Sequence, residues 1–279
     1  MSDFIDSKYV KDMSQITQGA YKEGFDERNG GNLSLLIRKE EMKGFDNISQ
    51  VKRSFVLGFN AQKLAGDYFL ITKAGSYFRN IAHQPNIELA LVQITANGKK
   101  ANLLWGLDKG GAPTSEFPSH LMSHIERLKI NSKHRVVMHS HPDNLVAMSI
   151  TQPLDEYKMN RLLWRMEAES LPVLPEGIGI IPYMTPGTTR IGRATANKMK
   201  YFRAVMWPQH GMFASGADLD EAFGIVETVE KCASIFTKVC SQGGKIRQDI
   251  STYQLCQIAS AFHVQPNLNF LPEYKTFGG

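Results

Sequence analysis

Cysteine is scarce in this chain. Cys232, Cys240 and Cys256 are the only three among 279 residues, and no two form a CxxC pair. An odd, scattered set excludes a disulfide framework and points to a reducing cytoplasm. Long apolar runs are missing as well. Nothing approaches the ~18–20 uninterrupted apolar residues of a membrane helix. The segment Met1-Ser2-Asp3-Phe4-Ile5-Asp6 carries acids where a signal peptide has a basic and then an apolar stretch. A cytoplasmic protein with no membrane partner is therefore expected. Clustered bases are absent too. The net charge is +5, but Lys99-Lys100 and the Lys198/Lys200 pair are the densest spots, which argues against a nucleic-acid partner. A dispersed positive field instead suits a small anionic substrate. There is no fixed-period repeat and no low-complexity segment.

What remains is ordinary globular material, 42% hydrophobic and 21% charged, which excludes disorder and coiled coil for the whole chain. No linker divides it, so one domain over 1–279 is expected. Apolar spacing predicts helices at 7–23, 115–129, 153–168, 188–200, 218–240 and 251–262. Thr114 or Ser115 is the expected cap of the second helix, Asp218 of the fifth and Ser251 of the last. Strands are predicted at 33–38, 67–72, 87–94, 101–106, 135–140, 171–175, 178–182 and 203–207, and 39–66 reads as a loop or excursion. Strands and helices mix without strict alternation. The expected fold class is α/β, with a mixed or mainly antiparallel central sheet flanked by helices.

Chemistry concentrates on few residues. Val136-Val137-Met138-His139-Ser140-His141 is an apolar strand ending in His-x-His. Residues i and i+2 share a strand face, so His139 and His141 can grip one Zn²⁺. His210, after the apolar strand Tyr201–Trp207 and before Gly211, is the best third ligand. Three histidines with one open position describe a catalytic zinc site. His-x-His also occurs as ordinary strand-end histidines, so the pair alone leaves both readings open. His120 and His124 lie at i and i+4 on a helix, but Leu121 stands where a zincin has glutamate. They read as surface or partly buried histidines.

Two turns suit a phosphate. Asn29-Gly30-Gly31-Asn32 offers converging backbone N–H groups, and Ala74-Gly75-Ser76 is a second small-residue turn. Thr114-Ser115-Glu116 adds a hydroxyl at a helix start. Each alone fits a mere turn or cap. Glu116 is either a surface acid at that helix start or, facing zinc, a base.

Taken together, Asp26-Glu27-Arg28-Asn29-Gly30-Gly31-Asn32-Leu33, Thr114-Ser115-Glu116, His139-Ser140-His141 and His210-Gly211 occur in an order and spacing that resemble the class II, zinc-dependent aldolase family. The likeness runs nearly end to end, through Phe78-Arg79-Asn80, Leu104-Trp105-Gly106-Leu107, Ile181-Pro182-Tyr183-Met184 and Leu219-Asp220-Glu221. It implies reversible aldol cleavage of a sugar phosphate, a ketose 1-phosphate, without a Schiff-base lysine. It implies one Zn²⁺ per subunit on His139, His141 and His210, and Glu116 as catalytic acid/base. Asn29, Gly31, Asn32, Gly75 and Ser115 match the phosphate-holding positions. Glu169 matches a catalytic glutamate that reaches a neighbouring subunit's site, in a homotetramer with sites at subunit boundaries. One departure is Ala74, where the pattern has serine, with Ser76 two residues on. Within the family, a fuculose-1-phosphate aldolase, a pentulose-5-phosphate 4-epimerase and a dehydratase are the nearest alternatives; the resemblance puts Asp at position 116 in epimerases, so Glu116 favours an aldolase. An adducin-like binding protein would have lost the zinc ligands. A zinc hydrolase would need a further base beside His-x-His.

Overall fold

Short apolar segments rich in Val, Ile and Leu build one sheet, and its layers follow from which face of each strand is apolar. A computed structural model describes residues 3–45 and 48–277; Met1-Ser2 and two residues of the expected 39–66 excursion lie outside the described residues. The strands are β1 (Asn32–Ile37), β2 (Arg53–Val56), β3 (Tyr68–Thr72), β4 (Leu89–Ile94), β5 (Lys100–Gly106), β6 (Val136–Ser140), β7 (Ile178–Ile180), β8 (Ala204–Trp207) and β9 (Gly211–Gly216). They form one nine-stranded sheet in the order β2-β5-β4-β3-β1-β6-β9-β8-β7. Every pairing is antiparallel except β7 with β8. The mixed, mainly antiparallel sheet expected from the sequence is the one observed.

The helices are α1 (Lys8–Lys22), α2 (Phe78–Ile81), α3 (Pro85–Glu88), α4 (Phe117–Ile130), α5 (Asp143–Thr151), α6 (Glu156–Met166), α7 (Ser170–Val173), α8 (Thr189–Met199), α9 (Leu219–Ser241) and α10 (Thr252–Ala261). Alternation along β1 sorts them. Leu33, Leu35 and Ile37 join residues of α1 and α9 in the larger core, while Leu36 packs with Phe117 and Leu121 of α4 on the opposite face. Each fully buried side chain of this size contributes roughly 1.5–3 kcal/mol.

Three expectations are corrected. The 39–66 stretch is not all loop, since it carries β2, paired with β5 at the sheet edge. Residues 171–175 are not a strand; Ser170–Val173 is a helical turn. Pro172 has no N–H for a ladder but is tolerated at a helix start. The helix after Thr114-Ser115 begins at Phe117, with Glu116 in the cap position and no side-chain cap bond. The Thr114 hydroxyl instead accepts the Glu116 N–H, at 3.3 Å. Asp218 and Ser251 do cap their helices. No helix among the described residues is long and apolar enough to cross a membrane.

Candidate metal and phosphate site

The centre of the sheet delivers the histidines. His139 ends β6, directly opposite Asn32 at the start of β1. His141 follows two residues on, its N–H held by the Phe25 carbonyl at 2.7 Å. His210 sits in the turn between β8 and β9. Gln209 beside it has φ of 57° and is pinned to Ser149 of α5 by two hydrogen bonds, of 2.8 and 3.0 Å. Two strands and one helix thus fix this turn.

Their Nε2 atoms converge. His139 Nε2 lies 3.1 Å from His141 Nε2 and 3.3 Å from His210 Nε2. Ligands ~2.0–2.1 Å from one tetrahedral ion stand about 3.3–3.4 Å apart, so this spacing fits a zinc-sized cation. Hydrogen bonding turns the rings the right way. His139 Nδ1 donates to the Met212 carbonyl at 2.9 Å, and His141 Nδ1 to the Glu27 carboxylate at 3.1 Å, leaving each Nε2 with a free lone pair. Burial drives His139 well below its ordinary pKa, and drives His210 down to about 4 with help from neighbouring His141. Neutral imidazoles are what a metal needs.

Glu116 stands beside this cluster, its Oε2 3.6 Å from His139 Nε2. It is buried, and burial pushes its carboxyl up to about 7, although the Asn32 amide bonding it at 2.9 Å opposes the rise. A carboxyl near neutrality can both give and take a proton. The surface-acid reading of Glu116 is thereby overturned.

A cleft of about 170 Å³ opens over the cluster, walled by Asn29, Gly31, Gly75 and Ser115 together with Glu116 and the three histidines. Asn32 also lines it, but its side chain is engaged with Glu116 and His120. Lys73, absent from the residues expected at the site, lines the cleft as well, its ammonium paired with the Glu88 carboxylate at 3.3 Å. Ser76 is buried and lies outside the residues that line the cleft. Glu169 is elsewhere. It is exposed and borders a separate cleft of about 650 Å³ with Glu23, Glu167, Glu227 and Glu230. His120 and His124 are not surface histidines; both are wholly buried. Glu27, 114 residues from His141, was missed because nothing local marks the pair.

Gly31 adopts φ of +70°, and a Cβ there would sit 1.6 Å from Asp26 Oδ1. Asp26 is buried, and burial holds its carboxyl well above the usual carboxylate range. Gly31→Ala should therefore displace Asp26 and cost at least ~1–3 kcal/mol in backbone strain alone. Denaturant midpoints check the stability loss, and titration with inorganic phosphate checks the expected weakening of anion binding. An unaltered phosphate affinity would remove this loop from the anion site.

The profile of the Class II Aldolase and Adducin N-terminal domain family matches residues 11–237. A rhamnulose-1-phosphate aldolase of Enterococcus faecalis is 48% identical over 269 residues, covering 96% of each chain. One from Yersinia pestis is 42% identical over 268 residues, covering 95% of this chain and 97% of its own. Among solved structures, a sugar-phosphate aldolase from Thermotoga maritima superposes with a TM-score of 0.72 at 29% identity, covering 85% of this chain and 97% of that one. An L-fuculose 1-phosphate aldolase shares the fold, with a TM-score of 0.62 at 20% identity over 92% and 97%. With its histidine cluster, its sheet and these relatives in agreement, the chain belongs to the class II aldolase family.

Proposed function

We propose that this protein catalyses the reversible, zinc-dependent cleavage of L-rhamnulose 1-phosphate to dihydroxyacetone phosphate and L-lactaldehyde, a step of L-rhamnose catabolism in the cytoplasm. It would do so as one domain over residues 1–279, with one zinc per subunit. The observation that carries the reading is the position of Glu116, a buried carboxyl 3.6 Å from His139 Nε2 on the floor of the glycine-lined cleft. The choice of sugar rests on likeness to the rhamnulose-1-phosphate aldolases.

His139, His141 and His210 would hold the zinc, which when bound supplies Lewis-acid polarisation of the substrate's oxygens. Asn29, Gly31, Asn32, Gly75 and Ser115 would hold the phosphate, far from the C3–C4 bond that breaks. Binding energy gained there orients the reacting carbons. Glu116 would give a proton to C3 of the three-carbon product in cleavage and take it back in synthesis. His139 and Glu116 are both buried at the side of this cleft. Metal-loaded protein incubated separately with L-rhamnulose 1-phosphate and L-fuculose 1-phosphate tests the reading, by the dihydroxyacetone phosphate released. Preferential release from the fuculose ester would reassign the substrate.

The proposed assembly is a homotetramer with sites at subunit boundaries. Closed symmetry can give each site Glu169 of a neighbour, acting at the aldehyde end. Support comes from α6 and its approach. Leu154 and Tyr157 are each 45% exposed, although Met159, Leu163 and Trp164 are buried. Such apolar surface at the start of α6, the helix that leads to Glu169, suits a contact between copies. Mixing inactive Glu116→Gln subunits with inactive Glu169→Ala subunits should restore activity at boundaries carrying both native residues. If subunits exchange and nothing returns, Glu169 does not act across a boundary.

A further inference from the structure

A line of hydrogen bonds runs from Glu116 into the protein behind the sheet. Asn32 Nδ2 donates to Glu116 Oε2 at 2.9 Å, and Asn32 Oδ1 meets His120 Nε2. His120 Nδ1 is 2.7 Å from Ser34 Oγ, which is 2.8 Å from His124 Nε2. Ser34 comes from β1 and both rings come from α4, so the line bridges the sheet and the helix that follows Glu116. Ser34, His120 and His124 are wholly buried. None of the three belongs to the metal cluster.

Donor accounting gives the line a direction. With its N–H side on Glu116, Asn32 can only accept at Oδ1, so His120 must carry its hydrogen on Nε2. Both rings are held neutral, because burial drives His120 down to about 3 against the opposing pull of the Val137 carbonyl, and drives His124 well below its ordinary value. A neutral His120 hydrogenated at Nε2 accepts at Nδ1, so the Ser34 hydroxyl donates there. The contact of that hydroxyl with the Val137 carbonyl is far longer, at 3.5 Å. Ser34 then accepts from His124 Nε2–H, and His124 Nδ1 is left with a bare lone pair. That atom has no partner among the described residues. In the reverse direction it would carry a buried hydrogen without an acceptor. Orphaned buried N–H groups are rarer and costlier than under-used acceptors.

We propose that His120 and Ser34, backed by His124, are positioning residues for the aldol reaction: a one-way chain of donors that keeps the Asn32 N–H on Glu116 and so fixes the orientation of this carboxyl beside the histidine cluster. An amide turned over would set Oδ1 against a carboxylate oxygen, two acceptors face to face, and turn the carboxyl out of its place. Such a buried polar line contributes no clear stability over an apolar core, so its use lies in orientation. The inference rests on the reading of Glu116 as the proton carrier.

The test has two independent readouts on the full chain. Histidine-selective ¹⁵N NMR should show the Nε2–H tautomer at both His120 and His124 near neutral pH. Kinetics of zinc-loaded variants should show a graded loss of kcat, with KM and bound zinc little changed. The loss should be ~10²-fold for His120→Phe, ~10-fold for Ser34→Ala and less for His124→Phe, within the range that outer partners of a metal site produce. The two ring variants lie on one helix and are equally buried, so a purely structural role would lower both thermal midpoints and both kcat values alike. Equal losses, or a native kcat in Ser34→Ala, overturn the proposal. An Nδ1–H tautomer at His120 overturns the chain whatever the activity. Wild-type protein inert toward both ketose phosphates overturns the aldolase reading instead, and the two failures are thereby told apart.

Discussion

His210→Ala should abolish turnover and bring bound zinc well below one ion per subunit. Two imidazoles leave an incomplete tetrahedron, and each lost ligand removes a share of the binding free energy. His139→Ala should do the same, with a structural cost as well. His139 is buried and packs against Trp207 and Phe213, with ring centroids at 4.9 and 4.7 Å, so truncation opens a cavity worth on the order of 2–5 kcal/mol. His210 is less buried, and its removal separates metal loss from fold loss more cleanly. Metal content by atomic absorption, circular dichroism and turnover on L-rhamnulose 1-phosphate are the measurements. Exhaustive chelation of wild-type protein should reproduce the loss, and added Zn²⁺ should reverse it. Full activity in metal-free protein would sink the proposed mechanism.

The histidine cluster was legible because its core is local. His-x-His on a strand places two rings on one face by backbone geometry alone. His210 could be chosen by its strand-then-glycine context, and the structure brings it within 3.3 Å of His139. Strands with branched apolar runs, such as Val136–Ser140 and Tyr68–Thr72, were legible for the same reason. What escaped has long-range causes. The first N–H groups of α5 are capped by Glu230, at 3.0 Å to Asn144 N and 3.0 Å to Leu145 N, so no local signal announces this helix. β9 reads Gly-Met-Phe-Ala-Ser-Gly, without a branched residue, and is a strand because it is buried between β6 and β8. β2 is an exposed edge with no apolar alternation. The burial of His120 and His124 was misjudged on the same ground. Their partners, Ser34 and Asn32, lie 86 or more residues away in sequence, and polar rings reach a core only when such partners exist.

Glu116→Gln should retain the fold and the zinc while turnover falls by ~10²–10⁴, the range of a lost general acid/base. The replacement keeps the size of the side chain, and its amide oxygen can still accept from Asn32 Nδ2. What disappears is the ability to carry a proton. Exchange of the C3 hydrogen of dihydroxyacetone phosphate with solvent should fall in parallel, since it reports that transfer without the aldehyde. Persistence of exchange at the native rate would place the base elsewhere. Stability gives a second, independent sign. Burial raises the folded-state pKa of Glu116 to about 7, above its unfolded value. Folding therefore favours the protonated form. The stability linked to it is fully present below pH ~4.5 and is lost as pH rises through ~7, because ionising a buried carboxyl costs desolvation. Glu116→Gln cannot ionise. In metal-free protein its thermal midpoint should match the wild type below pH ~4.5, exceed it increasingly as pH rises from ~4.5 through ~7, and hold a constant excess above that. A midpoint difference independent of pH would mean that Glu116 is solvated in the folded protein, and with that the case for it as a poised proton carrier would fail.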